Sequence, residues 1–111
     1  MIKRGEIYWV NLDDARGYET KNIRPCLVVS NDTQNRIGKR IMIAPLTSNI
    51  KKHYPFEVVI EKLKSKVMLD QVRVVTVSRL GKKASWLIKE EMKKIDLALH
   101  IALGIKICPS K

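Results

Sequence analysis

The chain has 111 residues, 45% hydrophobic and 30% charged, with a formal net charge of +11. A chain of that length holds one domain around a single core, and the composition excludes a disordered polypeptide. Its apolar runs fall far short of the ~18 residues that span a bilayer, and Lys3, Arg4 and Glu6 stand where a signal peptide would be apolar, so a cytoplasmic protein without a membrane partner is expected.

Glu6 to Leu12 carries aromatic and β-branched residues between polar ends and reads as the first strand. Asp13 to Asn22 is a loop, with Gly17 and acidic residues supplying turn chemistry. Pro25 marks the entrance to a second strand, Cys26 to Val29, since proline suits a strand's first positions. Asn31 to Asn35 is too polar for a strand and fits a turn or short helix. Arg40 to Thr47 forms a third strand, and a basic loop from Ser48 to Tyr54 leads to a fourth, Phe56 to Ile60. After a charged hairpin turn at Glu61 to Lys66, the alternation through Val67, Leu69, Val72, Val74 and Thr76 predicts one strand from Lys66 to Val77. Met92, Ile95, Leu99, Ala102 and Leu103 then recur at helical spacing, which predicts a helix from Lys89 to Leu103 with Glu90 and Glu91 in its first turn and Gly104 as its stop. The expected fold is therefore α+β and mostly β: a small SH3-like antiparallel barrel of about five strands with a C-terminal helix, in a single domain over residues 1–111.

Charge is unevenly spread. Residues 33 to 83 carry twelve basic and three acidic side chains, and so hold +9 of the +11. An excess confined to one half of a small fold suggests a polyanion, although a basic surface kept for solubility has the same composition. The two cysteines, Cys26 and Cys108, have no metal or redox spacing. His53 and His100 have no cluster of ligands around them, so neither metal nor cofactor is expected.

RNA cleavage without metal needs a group to take the 2′-hydroxyl proton, a cation for the crowded phosphate and help for the leaving 5′-oxygen. Arg24, a planar cation stiffened by Pro25, suits the phosphate. It could equally be a strand-end ion pair with Glu19 or Asp70, and Thr47 could be a turn residue. His100 follows Asp96 by one helical turn and reads as a surface pair, while His53 lies in a lysine-rich loop. For RNA recognition the candidates are Ser48, Asn49, Lys51, Lys52 and His53 in that loop, with Gln71 and Arg73 on the fifth strand. Tyr54 or Phe56 would stack bases, unless Phe56 is core.

The landmarks occur in a telling order. Lys3-Arg4-Gly5-Glu6-Ile7-Tyr8 leads through a polar loop to Asn22-Ile23-Arg24-Pro25-Cys26-Leu27-Val28-Val29-Ser30-Asn31-Asp32. Ile43-Ala44-Pro45-Leu46-Thr47-Ser48, Leu69-Asp70-Gln71-Val72-Arg73 and a helix ending Ala102-Leu103-Gly104 follow. In this the chain resembles the MazF/PemK toxins, bacterial endoribonucleases also called mRNA interferases, over residues 3 to 104. The resemblance implies the family's CcdB/MazF-type fold, a homodimer, single-stranded mRNA as substrate, a cognate acidic antitoxin, and Arg24 and Thr47 as the cleavage residues. Gly17-Tyr18-Glu19-Thr20 is similar to a site-shaping Gly-Ser-Glu-Gln segment, which gives Glu19 a supporting role. Met68 stands where the PemK-like branch has a catalytic arginine, which disfavours Asp70 as a base and places the chain nearer the MazF branch. Two other readings stand beside it: a non-enzymatic CcdB-like toxin directed at gyrase, which would need neither Arg24 nor Thr47, and a plain RNA-binding barrel.

Overall fold

The computed structural model describes residues 1–13 and 22–106. In chain order the elements are β1 (Glu6–Asn11), β2 (Ile23–Val28), α1 (Asp32–Ile37), β3 (Arg40–Thr47), β4 (Glu57–Ile60), β5 (Ser65–Met68), β6 (Arg73–Thr76), β7 (Leu80–Trp86) and α2 (Lys89–Leu103), with 3-10 turns at Glu61–Leu63, Leu69–Gln71 and Val77–Arg79.

β3 is the axis of the sheet. One of its edges takes β2, pairing Cys26 with Pro45 and Val28 with Ile43. Its other edge is divided: β6 lies along the first half, from Arg40 opposite Thr76 to Ile43 opposite Arg73, and β5 meets only Leu46 and Thr47. The antiparallel strands run β4-β5-β3-β2-β1-β7 with β6 on β3. The strand twist accumulates across this order and curls the sheet.

The mostly-β class, the curled antiparallel sheet and the C-terminal helix are as expected, but the described residues form seven strands where about five were expected. The strand expected from Lys66 to Val77 is broken by the turn at Leu69–Gln71, where Leu69 is buried and its N–H donates to Phe56 O at 3.1 Å. Pairing with β3 resumes three residues out of register, which matches the one turn inserted. As a result Val75, not Val74, is the buried residue of β6. β7 occupies a stretch for which the sequence suggested no strand. Pro25 sits third in β2 instead of at its entrance, opposite Trp9.

Two apolar clusters lie on opposite faces of the sheet. Leu27, Ala44, Leu46, Leu69 and Ile7 pack under Ile95 and Ala98 of α2. Val10, Leu12, Cys26, Val28, Ile41, Ile43 and Val75 form the second cluster, inside the curl. Because successive strand residues point to opposite faces, β2 and β3 feed both clusters and read as nearly continuous apolar runs.

α2 has the predicted bounds. Without a capping side chain at Ile88, its start is held by Glu91, whose carboxylate accepts the Ile88 N–H at 2.9 Å. Its end is held by Gly104 at φ 68°, a left-handed conformation that lets the Ile105 N–H reach His100 O at 2.9 Å. The polar stretch after β2 forms α1, capped by Asn31, whose side chain accepts from the Gln34 N–H at 2.8 Å.

Candidate active site

The period-2 pattern that builds the second cluster continues beyond it. On β2, Val28 and Cys26 point into the curl and Arg24 follows on the same face. On β3, Ile41 and Ile43 are followed by Pro45 and Thr47. On β6, Val75 is preceded by Arg73. Apolar residues thus give way to polar ones at one end of the curl. There they enclose a cavity of about 290 Å³ lined by Arg24, Thr47, Gln71 and Arg73, with Asn22 beside Arg24 and Leu12, Pro45 and Met68 as apolar wall.

Arg24 is exposed, and its Nε donates to Asn22 Oδ1 at 3.1 Å. Among the described residues neither Asp70 nor any other carboxylate pairs with it. The terminal nitrogens of its guanidinium, four N–H donors in a fixed fork, are left for a ligand. Thr47 closes β3 half-buried, its Oγ1 accepting the Asn49 N–H at 3.2 Å. Gln71 reaches the thioether of Met68, Nε2 to Sδ 3.5 Å. Arg73 makes a long contact to Leu12 O at 3.5 Å. Beneath them burial pushes the Cys26 thiol up to about 12, against the downward pull of the Arg24 and Arg73 charges. Two cations at a cavity that no carboxylate of the described residues lines form a receptor for an anion.

The cavity opens where β1 and β2 part. Leu12 N–H donates to Asn22 O at 2.9 Å, and Asn22 N–H to the Asp13 carboxylate at 2.8 Å. Arg79 clamps the other side, its Nη1 donating to Asn11 O at 3.1 Å and also to Asp13 O. Glu19 lies outside the described residues, as do Gly17, Tyr18, Thr20 and Cys108.

Four predicted residues, Arg24, Thr47, Gln71 and Arg73, therefore meet at one cavity. The loop candidates do not line it. Ser48, Asn49, Lys51 and Lys52 are exposed beyond Thr47, with Asn49 Oδ1 accepting the Lys51 N–H at 3.3 Å. His53 lines a separate groove of about 390 Å³ between β4 and α2, its Nε2 bonded to Glu57 O at 3.0 Å. Tyr54 and the half-buried Phe56 stack on each other, centroids 5.3 Å apart and planes at 6°. The expected Asp96–His100 pair is not formed, because Asp96 is taken by Arg4 at 2.8 Å. Sequence reasoning passed over Asn22 and Arg79. The one signal for Asn22 was its spacing: a neutral acceptor two residues before an arginine shares that arginine's face of an extended chain.

Residues 3–103 match the family model described as PemK-like, MazF-like toxin of type II toxin-antitoxin system. The chain belongs to that family. It is 37% identical to endoribonuclease MazF9 of Mycobacterium tuberculosis (strain ATCC 25618 / H37Rv), over 95% of this chain and 98% of the relative. A mycobacterial endoribonuclease solved in complex with its cognate antitoxin has the same fold, with a TM-score of 0.82 and 26% identity over 97% of this chain and all of the other. MazF of Deinococcus radiodurans, solved with MazE, matches with a TM-score of 0.78 and 25% identity over 95% of this chain and 97% of the other. Toxins of this family are endoribonucleases, and no helix among the described residues is long and apolar enough to cross a membrane.

Proposed function

We propose that the chain, as a single domain over residues 1–111, is the endoribonuclease toxin of a type II toxin-antitoxin pair and cuts single-stranded mRNA through its own 2′-hydroxyl. The observation that carries the reading is the convergence of Arg24, Thr47, Gln71 and Arg73 on one cavity at the polar end of the inner core. The 2′-oxygen attacks the adjacent phosphorus and the bond to the 5′-oxygen breaks. Products are a 2′,3′-cyclic phosphate and a 5′-hydroxyl, with the 2′-proton leaving to a base and a proton supplied to the departing oxygen.

Arg24 stabilises the pentacovalent phosphate. An arginine, with a pKa above about 12, contributes charge and geometry more readily than a proton. Thr47 hydrogen-bonds the phosphate or the 2′-oxygen, and Glu19 has a supporting role. Arg73 and Gln71 at the cavity, with Ser48, Asn49, Lys51, Lys52 and His53 along the exposed loop, carry the flanking RNA. The lysines supply affinity and the amides supply base contacts. In this reading the reaction uses no metal, because the substrate's own 2′-hydroxyl is the nucleophile and the Arg24 guanidinium meets the charge on the phosphate. The working form is a cytoplasmic homodimer, held in check by a cognate acidic antitoxin.

The test is incubation of the pure protein with long single-stranded RNA in excess EDTA. Internal cleavage to 2′,3′-cyclic phosphate and 5′-hydroxyl ends is expected. Activity lost in EDTA and restored by magnesium would overturn the mechanism, and intact RNA under all conditions would overturn the enzymatic reading.

A further inference from the structure

We infer that Asn22 is a positioning residue that aims Arg24 at the phosphate, an inference that rests on the reading of Arg24 as the phosphate-stabilising group. Arg24 is exposed, and a long exposed side chain ordinarily samples many rotamers. Here its Nε–H is committed to Asn22 Oδ1 at 3.1 Å. The guanidinium is planar, so fixing one N–H fixes the plane of all five and leaves the four terminal donors as a preset fork beside Thr47. The orientation of the Asn22 amide follows from the chemistry, because the guanidinium only donates and its partner must be the oxygen.

Asn22 can serve as an anchor because its backbone is held on both sides. Its C=O accepts the Leu12 N–H at 2.9 Å, and its N–H donates to Asp13 Oδ2 at 2.8 Å. Asp13 in turn donates its N–H to Asn11 Oδ1 at 2.9 Å, while Arg79 binds the carbonyl oxygens of Asn11 and Asp13. A continuous hydrogen-bonded path therefore runs from the turn after β6, through the end of β1, to the arginine of the site. A neutral acceptor suits this task. An aspartate at position 22 would hold Arg24 equally well but would offset the charge that the phosphate needs. Misplacing a reacting group by 1 Å can cost on the order of 100-fold in rate, so an unaimed Arg24 would lose turnover before it lost RNA affinity.

The experiment is a double-mutant cycle read in single-turnover cleavage with saturating protein: wild type, Asn22→Ala, Arg24→Ala and the double variant, with RNA affinity measured beside rate. Asn22→Ala is expected to slow cleavage by about 10- to 100-fold, with RNA affinity changed by less than about threefold and, in the Arg24→Ala background, a further loss of less than about twofold. Equal losses in both backgrounds would make Asn22 a structural or RNA-contacting residue and overturn the inference. An unchanged rate for Asn22→Ala, with Arg24→Ala impaired, would also overturn it and leave the reading of Arg24 standing. Wild-type cleavage by Arg24→Ala would remove both. Should Asn22→Ala fail to fold, the Arg24 Nε–H resonance of the wild-type protein decides: slowed solvent exchange supports the anchor, and exchange as fast as in free arginine refutes it.

Discussion

Arg24 is fixed at one nitrogen and, among the described residues, unpaired at the other two, and Thr47 lines the same small cavity with its hydroxyl already accepting a backbone N–H. A group with this combination contributes in the transition state, where the phosphate gains charge, more than it does in binding. Arg24→Ala and Thr47→Ala should therefore each lower cleavage by ~100-fold or more, the usual cost of one transition-state donor, with circular dichroism and melting unchanged. A folded Arg24→Ala protein that cleaves at near wild-type rate would remove the proposed site. His100→Ala should change little, since His100 lies on the far side of the first core beside Arg4 and Asp96. Cys26 reports on the buried cluster next to the site, its Sγ donating to Arg24 O at 3.6 Å. Burial holds its pKa up at about 12, so the folded state disfavours the thiolate. The resulting stability is complete below the ordinary thiol value of about 8.5 and is lost as pH rises from there toward about 12. In a Cys108→Ser background at about pH 8, just below that ordinary thiol value, iodoacetamide should leave Cys26 unlabelled until denaturant is added. Rapid labelling of folded protein would show that buried cluster to be open.

At the scale of elements, β4 and β5 are joined by a buried ion pair. Glu57 and Lys66 meet at 2.9 Å with side chains 7% and 8% exposed. Lys66 Nζ also donates to Lys52 O at 2.6 Å, and Glu57 Oε1 accepts the Tyr54 N–H at 3.1 Å, so the pair ties down the base of the basic loop. Removing one partner strands the other charge away from water. Glu57→Gln should accordingly cost on the order of 3 kcal/mol in chemical denaturation, and Glu57→Leu with Lys66→Met should cost less than that single change. A double variant as unstable as the single would show that packing, not charge, dominates there. The elements differ in how far the sequence announces them. α2 was readable to the residue because its apolar stripe, its acidic first turn and Gly104 agree. β7 was not, because an edge strand reading Leu80-Gly81-Lys82-Lys83-Ala84-Ser85-Trp86 has no apolar alternation to show. The break at Leu69–Gln71 was visible as a phase change, from odd apolar positions at Val67 and Leu69 to even ones at Val72 and Val74, yet burial follows Val75. Arg24 and Thr47 could be found from local chemistry and resemblance. Their meeting with Arg73 depends on a three-residue register step that no local pattern encodes.

For the molecule as a whole, the balance of charge decides which partners compete. Of the basic residues in the central half, Lys62, Lys66 and Lys83 are held by Glu91, Glu57 and Glu6. Lys51 and Lys52 stand exposed on the loop that follows Thr47, and Arg24 and Arg73 face the cavity. These four cations have no carboxylate partners among the described residues, and they lie in or beside the proposed site. Any long polyanion that neutralises them must lie across it. RNA bound to a cleavage-dead variant should release counterions, with log affinity falling against log salt by about 0.7 per phosphate contacted, and neutralising Lys51 and Lys52 should flatten that slope. A flexible acidic antitoxin segment would meet the +9 of residues 33–83, to which Lys51, Lys52 and Arg73 belong, and order as it binds. Because the two ligands share these cations, antitoxin and RNA should exclude each other. Titrating the antitoxin into a fluorescent RNA complex of the Arg24→Ala protein should displace the RNA completely, and each added increment of RNA should raise the apparent Kd of the antitoxin in proportion. A ternary complex that keeps full RNA affinity would mean that the antitoxin acts from a different face, and that the exposed cations beside Thr47 serve RNA alone.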